Sequence, residues 1–135
     1  MISQISIFAE NKKGAISAIT RILAEEHINI LSFVTNDSAE FGIVRMLVSD
    51  DVTAEKLLRE AGYQIKRTTV MAVVIPDAPG SLHRLLECIE LANVNIDYLY
   101  TSFDRGNAAP VMIIHAEDMD ELETFLKYKG FPCSV

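Results

Sequence analysis

The sequence predicts an α+β fold built from two tandem units, each with the order strand, helix, strand, strand, helix, strand. The main observation is an internal repeat: Gly14 and Gly80 stand 66 residues apart, and so do Asn29 and Asn95. Each glycine follows a short apolar run and precedes a segment with helical periodicity. A repeat is the first feature to establish, because it fixes the architecture of the whole chain.

The first strand and first helix are the clearest elements of each unit. Apolar runs at 5–8 and 70–75 precede the two glycine loops. After each loop, apolar residues recur at a spacing that puts them on one inward helical face. These inward residues are Ile16, Ile19 and Leu23 in the first unit, and Leu82, Leu85, Leu86 and Ile89 in the second.

A pair of strands joined by a turn follows in each unit. β-Branched and aromatic residues favour strands at 28–35 and 95–102, and returning strands are expected at 43–48 and 111–115. Polar residues typical of turns separate the members of each pair. These turns are Asn36-Asp37-Ser38 and Asp104-Arg105-Gly106-Asn107.

The second helices carry start and stop signals. Asp50-Asp51 and Glu117-Asp118 offer N-caps, while Gly62 and Gly130 suit the left-handed residue that follows a helix. Their inward residues are Ala54, Leu57, Leu58 and Ala61, and in the second unit Leu122, Phe125 and Leu126. Last strands are expected at 63–69 and 131–135. This order predicts two ferredoxin-like βαββαβ domains, at 1–69 and 70–135, each an antiparallel sheet with both helices on one face.

Composition limits the partners of this chain. The 135 residues carry a net charge of −7, which disfavours nucleic acid and anionic membrane surfaces because both attract Lys and Arg. The N-terminus lacks the pattern of a secretory signal, and no apolar stretch has the length of a membrane helix. We therefore expect a cytoplasmic protein that binds neither nucleic acid nor membranes.

No residue pattern indicates a metal, a cofactor or catalysis. Cys88 and Cys133 are too few and too far apart for a metal cluster, and His27, His83 and His115 share no ligand spacing. His83 and His115 lie in predicted apolar elements, where a packed core or interface histidine is expected. We expect neither a metal nor a cofactor, and we expect that the chain is not an enzyme.

The loops before the first helices are the candidate binding sites. Glycine lets the backbone approach a ligand closely, and the first amide groups of a helix favour an anion such as a carboxylate. Asn11 can both donate and accept hydrogen bonds, whereas the ionised Asp77 can only accept them. The alternative, left open by the residues alone, is that Gly14 and Gly80 merely permit a turn.

The repeated pattern resembles the ACT domain, a small regulatory module attached to many enzymes of amino-acid biosynthesis. Its signature is a strand, then Asn/Asp-x-Pro-Gly-x-Leu, a helix, and an apolar-Asn-Ile segment that opens the second strand. Residues 77–82 with 94–96 match this signature closely. Residues 11–16 with 28–30 match it with Lys13 in place of proline and Ile16 in place of leucine.

The resemblance implies regulation through a small ligand, most often an amino acid, bound between the loop of one ACT unit and the second strand of another. It implies a homodimer formed through second-strand edges, and an amino-acid metabolic enzyme as a further partner. An alternative is a protein-interaction module that binds such an enzyme without any ligand. The ligand-binding residues that it implies are Asn11, Lys12, Lys13, Gly14, Ala15, Ile16, Asn29, Ile30 and Leu31, and Asp77, Ala78, Pro79, Gly80, Ser81, Leu82, Asn95, Ile96 and Asp97.

Overall fold

The computed structural model describes residues 1–10, 12–35, 41–104 and 109–134. The chain divides into two compact units: the first repeat, Ser3–Thr68, and the second repeat, Thr69–Val135 together with Met1–Ile2. The predicted βαββαβ order is present in both. The predicted turns at 36–38 and 105–107 lie outside the described residues.

The first repeat places two helices against a four-stranded sheet. Its elements are β1 Ile2–Glu10, α1 Ala15–Glu25, β2 Ile30–Thr35, β3 Phe41–Val48, α2 Asp51–Glu60 and the first part of β4 Gln64–Val74. The strand order is β2-β3-β1-β4, with β3 antiparallel to both β1 and β2. Ile7 stands opposite Val44, which aligns the buried faces of the two inner strands.

The second repeat has the same arrangement. Its elements are the remainder of β4, α3 Ser81–Ala92, β5 Ile96–Asp104, β6 Ala109–Ala116, α4 Met119–Tyr128 and β7 Cys133–Ser134. The order is β5-β6-β4-β7, all antiparallel. Val73 stands between Met112 on one side and Cys133 on the other.

Strand β4 differs from the sequence prediction. Strands were expected at 63–69 and 70–75, but one continuous strand covers Gln64–Val74. The run Thr68-Thr69-Val70 is β-branched throughout and contains no Gly or Pro to interrupt pairing. The predicted domain boundary between residues 69 and 70 therefore falls within a strand. In the last predicted strand, 131–135, the strand begins only at Cys133, because Pro132 has no N–H to donate to a neighbouring strand; residue 135 lies outside the described residues.

Each repeat has its own hydrophobic core between its sheet and its helices. In the first repeat, the fully buried side chains are Ile5, Ile7, Ile19, Leu23, Met46, Ala54 and Leu58. Their counterparts in the second repeat are Met71, Val73, Leu85, Ile114, Leu122 and Leu126. The helical residues in these two sets were predicted to face inward, so the periodicity identified the part of each core that the helices contribute.

Three of the predicted inward positions are wrong. Ile16 is 42% exposed and Leu82 is 40% exposed. Both lie in the first turn of a helix, next to a glycine loop, where the side chain lies beyond the buried stripe of the helix. Ala61 is exposed because it follows the last turn of α2 as its C-cap.

The predicted caps of α2 and α4 are confirmed. The carboxylate of Asp50 accepts from the Thr53 N–H at 3.1 Å, and that of Asp118 accepts from the Glu121 N–H at 3.0 Å. Gly62 and Gly130 follow these helices with φ of 95° and 90°, the left-handed conformation that glycine adopts without strain.

We predict that Asp50→Ala lowers the Tm at neutral pH, because it removes the acceptor for an amide of the first turn. Hydrogen bonds from Thr53 lower the pKa of Asp50 below its ordinary value of 3.8. A lowered pKa means that the ionised cap stabilises the fold above the unfolded-state pKa, and this stabilisation is lost as pH falls through the folded-state pKa. The difference in Tm between wild type and variant should therefore shrink below pH 3.8. Asp50→Asn, which keeps an acceptor, is the control; a Tm difference independent of pH would contradict the prediction.

Candidate functional site

The two glycine loops adopt the same backbone conformation. Gly14 directly precedes α1 with φ of 84°, and Gly80 directly precedes α3 with φ of 87°. Lys13 therefore supports the same turn as Pro79. Since L-residues with a side chain rarely adopt positive φ, the repeated glycine is explained by the turn itself.

Hydrogen bonds repeat from one loop to the other. The Ala15 N–H donates to the Lys12 carbonyl at 3.2 Å, and the Ser81 N–H donates to the Ala78 carbonyl at 3.2 Å. The glycine carbonyls accept from the helix at 3.0 Å in both loops, from Ala18 for Gly14 and from Arg84 for Gly80. These bonds establish which positions of the two loops are equivalent.

The helices that follow these loops start differently from α2 and α4. Within the described residues, no side chain accepts a hydrogen bond at the N-terminus of α1 or α3, and neither helix has an acidic residue in its first turn. By contrast, α2 and α4 have aspartate caps and acidic first turns. Among the described residues, carboxylates of the cap and first turn thus compensate the partial positive charge of the helix start at α2 and α4 but not at α1 and α3, whose first amide groups favour an anion.

A cavity of about 680 Å³, which we term the loop cavity, lies beside the first loop. Four predicted site residues line it: Lys12, Lys13, Gly14 and Ala15. A second wall comes from the turn between α2 and β4, with Gly62, Tyr63 and Gln64. The remaining lining residues are Phe8, Ala9 and Glu10 of β1 and Ala18 of α1. The wall from this turn was missed at the sequence level, because its distance of about 50 residues from the loop along the chain gives no local signal.

A smaller cavity of about 90 Å³ also adjoins the first loop. Ala15 and Ile16 line it together with Thr35 of β2 and Val44 of β3. The exposed Ile16 side chain therefore contributes to a loop surface rather than to the core. Asn11, the remaining predicted residue of this loop, lies outside the described residues.

In the second loop, predicted site residues 77–80 and Leu82 are exposed, and Ser81 is buried at the start of α3. Their placement matches that of the first loop, apart from the buried Ser81. At Gly14 and Gly80 alike, an added Cβ would meet no atom within 4 Å. Both loops therefore leave open space beside the glycine, and the constraint on these positions is the backbone conformation alone.

The predicted facing-strand residues of the first repeat lie away from the loop cavity. Asn29 and Ile30 line a separate shallow cavity with Arg21 of α1, and Leu31 is exposed on β2. The backbone of Asn29 is bonded to Ser49: its N–H donates to Ser49 Oγ at 2.9 Å, and its carbonyl accepts from the Ser49 N–H at 2.9 Å. Asn29 thus secures the start of β2.

In the second repeat, Asp97 is already engaged by a neighbouring side chain. Its Oδ2 lies 2.8 Å from Nδ1 of His115, and the His115 ring stacks on Tyr98 with centroids 5.1 Å apart. Asn95 accepts from the Glu117 N–H at 3.1 Å, and Ile96 packs against the core. The strand register, which places Tyr98 opposite His115, produces this cluster and was not predicted from sequence.

Charges around the first loop are unequally paired. Lys12 Nζ lies 3.1 Å from Glu10 Oε2, while Lys13 is exposed and forms no ion pair within the described parts of the chain. Of the core and interface positions expected for His83, the core is wrong: its side chain is exposed, and its Nε2 lies 3.5 Å from Oε1 of Glu87, one helical turn away.

Two structural findings concern metals and membranes. Across residues 1–10, 12–35, 41–104 and 109–134, no group of three His, Cys, Asp or Glu residues is arranged to hold a metal ion. In the same part of the chain, no helix combines the length and the apolar composition needed to cross a membrane.

Comparison with known families matches residues 1–128 to the ACT domain pair. The chain belongs to the ACT domain-pair family. The resemblance given by the two loop motifs is confirmed, and with it the tandem ferredoxin-like fold and a regulatory, ligand-binding class of protein. Among curated proteins, none matches the chain.

Solved structures share the fold over nearly the whole chain. A protein from Bacteroides thetaiotaomicron is 33% identical with a TM-score of 0.90, over 98% of this chain and 90% of that one. The ligand-free regulatory subunit of aspartate kinase from Thermus thermophilus is 16% identical with a TM-score of 0.69, over 93% and 90%. The subunit from Thermus flavus is 16% identical with a TM-score of 0.65, over 93% and 90%.

We predict that Gly80→Ala lowers the free energy of unfolding by about 1–2 kcal/mol, because alanine is strained in the left-handed conformation. Gly80→Asn should cost less, because asparagine tolerates this conformation better. Urea unfolding of both variants measures the difference. A larger loss for asparagine than for alanine would indicate a steric limit at this position and contradict the open space found beside it.

Proposed function

We propose that this protein is a regulatory binding protein for an amino acid, which binds at the strand–helix loops and at interfaces between ACT units. The observation that supports this most directly is the loop cavity. Its volume of about 680 Å³ lies within the range of about 300–1,000 Å³ typical of small-molecule pockets. It adjoins one of the two helix starts without a carboxylate cap.

The loops supply the chemistry that an amino acid requires. A ligand carboxylate would bind at the helix start beside Gly14 or Gly80, where amide groups and the helix dipole favour negative charge. A ligand ammonium would bind the carboxylate of Asp77 in the second loop or the amide oxygen of Asn11 in the first. We propose a binding role without catalysis, in keeping with the regulatory class of the family.

The proposal includes a homodimer formed through second-strand edges. Strand β2 stands at the edge of its sheet, and its Leu31 and Phe33 are 44% and 40% exposed. An apolar edge strand is prone to pair with another strand, and a second copy would both cover it and bring a second strand to a ligand loop. A strictly monomeric mass by light scattering would contradict this part of the proposal.

We also propose that the protein acts in the cytoplasm on an enzyme of amino-acid metabolism. Cys88 and Cys133 are both free thiols, which fits a reducing compartment. The regulatory subunits of aspartate kinase from two Thermus species illustrate how a chain of this fold serves such an enzyme. Whether the enzyme regulated by this protein is an aspartate kinase or another enzyme would depend on the amino acid that the loops bind.

We predict that at least one of the twenty amino acids at ~10 mM raises the Tm in a thermal-shift screen. A ligand that binds only the folded state adds RT ln(1 + [L]/Kd) to its stability, ~2.7 kcal/mol at 100 times Kd, which corresponds to several degrees in a domain of this size. The D-enantiomer of each hit is the control for stereospecific binding. Absence of any shift would contradict amino-acid binding.

We predict that Asn11→Ala or Asp77→Ala weakens binding of the amino acid found in that screen by ~1.5–3 kcal/mol, because each removes a hydrogen-bond partner of a charged ligand group. Isothermal titration calorimetry measures the affinity. Asp120→Ala, an exposed acidic residue on α4, is the matched control and should leave the affinity unchanged. Unchanged affinity in both single variants and in the double variant would show that the loops are not the site.

A ligand-independent interaction module is the second candidate function. The observation in its favour is an apolar surface on α4, where Phe125 and the 83% exposed Tyr128 line a cavity of about 500 Å³. The amino-acid screen separates the two candidates, because an interaction module predicts no shift with any amino acid.

A further inference from the structure

The loop cavity joins two segments that belong to different parts of the first repeat. One wall is the predicted ligand loop, with Lys13 and Gly14, and the other is the turn after α2, with Tyr63 and Gln64. Tyr63 is anchored, since it packs against the hydrophobic core while it also lines the cavity. The cavity therefore has one wall fixed by core packing and one formed by the loop.

Building on the amino-acid binding proposed above, we propose that the loop cavity of the first repeat is a binding site for an α-amino acid with an apolar side chain. Tyr63 and Phe8 would contact the side chain of the ligand, and Lys13 would bind its carboxylate. Neither Tyr63 nor Phe8 belongs to the ACT loop motif, so the specificity would come from residues outside that motif.

The charges at the cavity favour a ligand with a single carboxylate. Lys13 is exposed and forms no ion pair among the described residues, so it can meet a ligand anion without losing a partner. The other two charged residues of the wall, Lys12 and Glu10, lie 3.1 Å apart and pair with each other. A second carboxylate on the ligand would meet no unpaired cation of the wall.

The remaining wall is suited to an apolar side chain. The ring of Phe8 is exposed on β1, and Ala9, Ala15 and Ala18 add small apolar side chains. Burial of an exposed aromatic ring against an apolar ligand group is favourable, because it removes apolar surface from water.

The second repeat provides a comparison within the same chain. Ala18 and Arg84 are counterparts, because the N–H of each donates to the carbonyl of the loop glycine in its own repeat. Tyr63 and Phe131 are counterparts as well, because the N–H of each donates to a carbonyl in the last turn of the preceding helix, Leu58 in α2 and Leu126 in α4. Thus the second repeat carries a long charged side chain where the first has a methyl group, and Pro79 where the first has Lys13. We therefore expect the loop cavity to bind its ligand in the first repeat only.

This comparison also supplies a variant that should fold. Arginine is compatible with this helix position, because α3 carries Arg84 there as an exposed residue. Ala18→Arg introduces the same side chain at the half-buried Ala18 and should fill the cavity. Circular dichroism and the ligand-free Tm verify folding, and Ala18→Leu is a second cavity-filling variant that adds no charge.

The test measures binding of L-leucine and L-phenylalanine by calorimetry, with L-glutamate as a ligand that carries a second carboxylate and L-phenylalaninamide as one that carries none. We expect L-leucine or L-phenylalanine to bind in preference to the other two. Lys13→Ala should weaken binding by about 10- to 150-fold, the effect of losing one hydrogen bond to a charged group. Ala18→Arg and Ala18→Leu should abolish it, whereas Arg84→Ala, the matched control in the second repeat, should leave it unchanged.

The outcomes separate this inference from the proposed function. Equal binding to wild type, Ala18→Arg and Ala18→Leu would overturn the loop cavity as the site while leaving amino-acid binding intact. Preference for L-glutamate, or for any polar amino acid of the twenty, would overturn the specificity. Failure of all twenty amino acids to bind wild type would overturn both.

Discussion

The left-handed glycine in front of α1 and α3 is the constraint on which the candidate site depends. With φ near 85°, Gly14 and Gly80 turn the chain directly from a strand into a helix without a side-chain cap. The other two helices begin at an aspartate whose carboxylate accepts a first-turn amide. The described residues therefore show two kinds of helix start: α2 and α4 are capped by aspartate side chains, whereas α1 and α3 have no side-chain cap.

Because the turn is held by backbone conformation, the residues around each glycine can differ without altering the fold. Lys13 and Pro79 occupy equivalent positions in turns of the same geometry, and so do Ala18 and Arg84 at the start of the helices. The second strands diverge as well: Asp97 pairs with His115 in the second repeat, whereas Leu31 is an exposed apolar residue in the first. Two copies of one architecture therefore present different chemistry.

Features set by neighbouring residues could be predicted from sequence, and those set by distant residues could not. The repeat, the Asp50 and Asp118 caps and the buried helical stripes follow from short patterns, and the structure has them. The continuous β4, the cluster of Asp97 with His115, and the wall that Tyr63 gives the loop cavity depend on strand register and on segments brought together by folding. Helical periodicity predicted burial for Ile16 and Leu82, which are exposed, because the first turn of a helix can extend past the core that the helix covers.

The open helix starts connect binding to stability in a specific way. A carboxylate bound beside Gly14 would accept hydrogen bonds from first-turn amides, which is the role that Asp50 fills for α2. Ligand would thus complete the capping of α1 and reduce fraying of its first turn, where Ile16 lies exposed. Because Ala15 and Ile16 line the small cavity together with Thr35 at the end of β2, ordering of this turn would change the shape of a cavity that the edge strand shares. In a regulatory protein, this shared cavity gives a physical route from an occupied loop to a strand available for pairing with a partner.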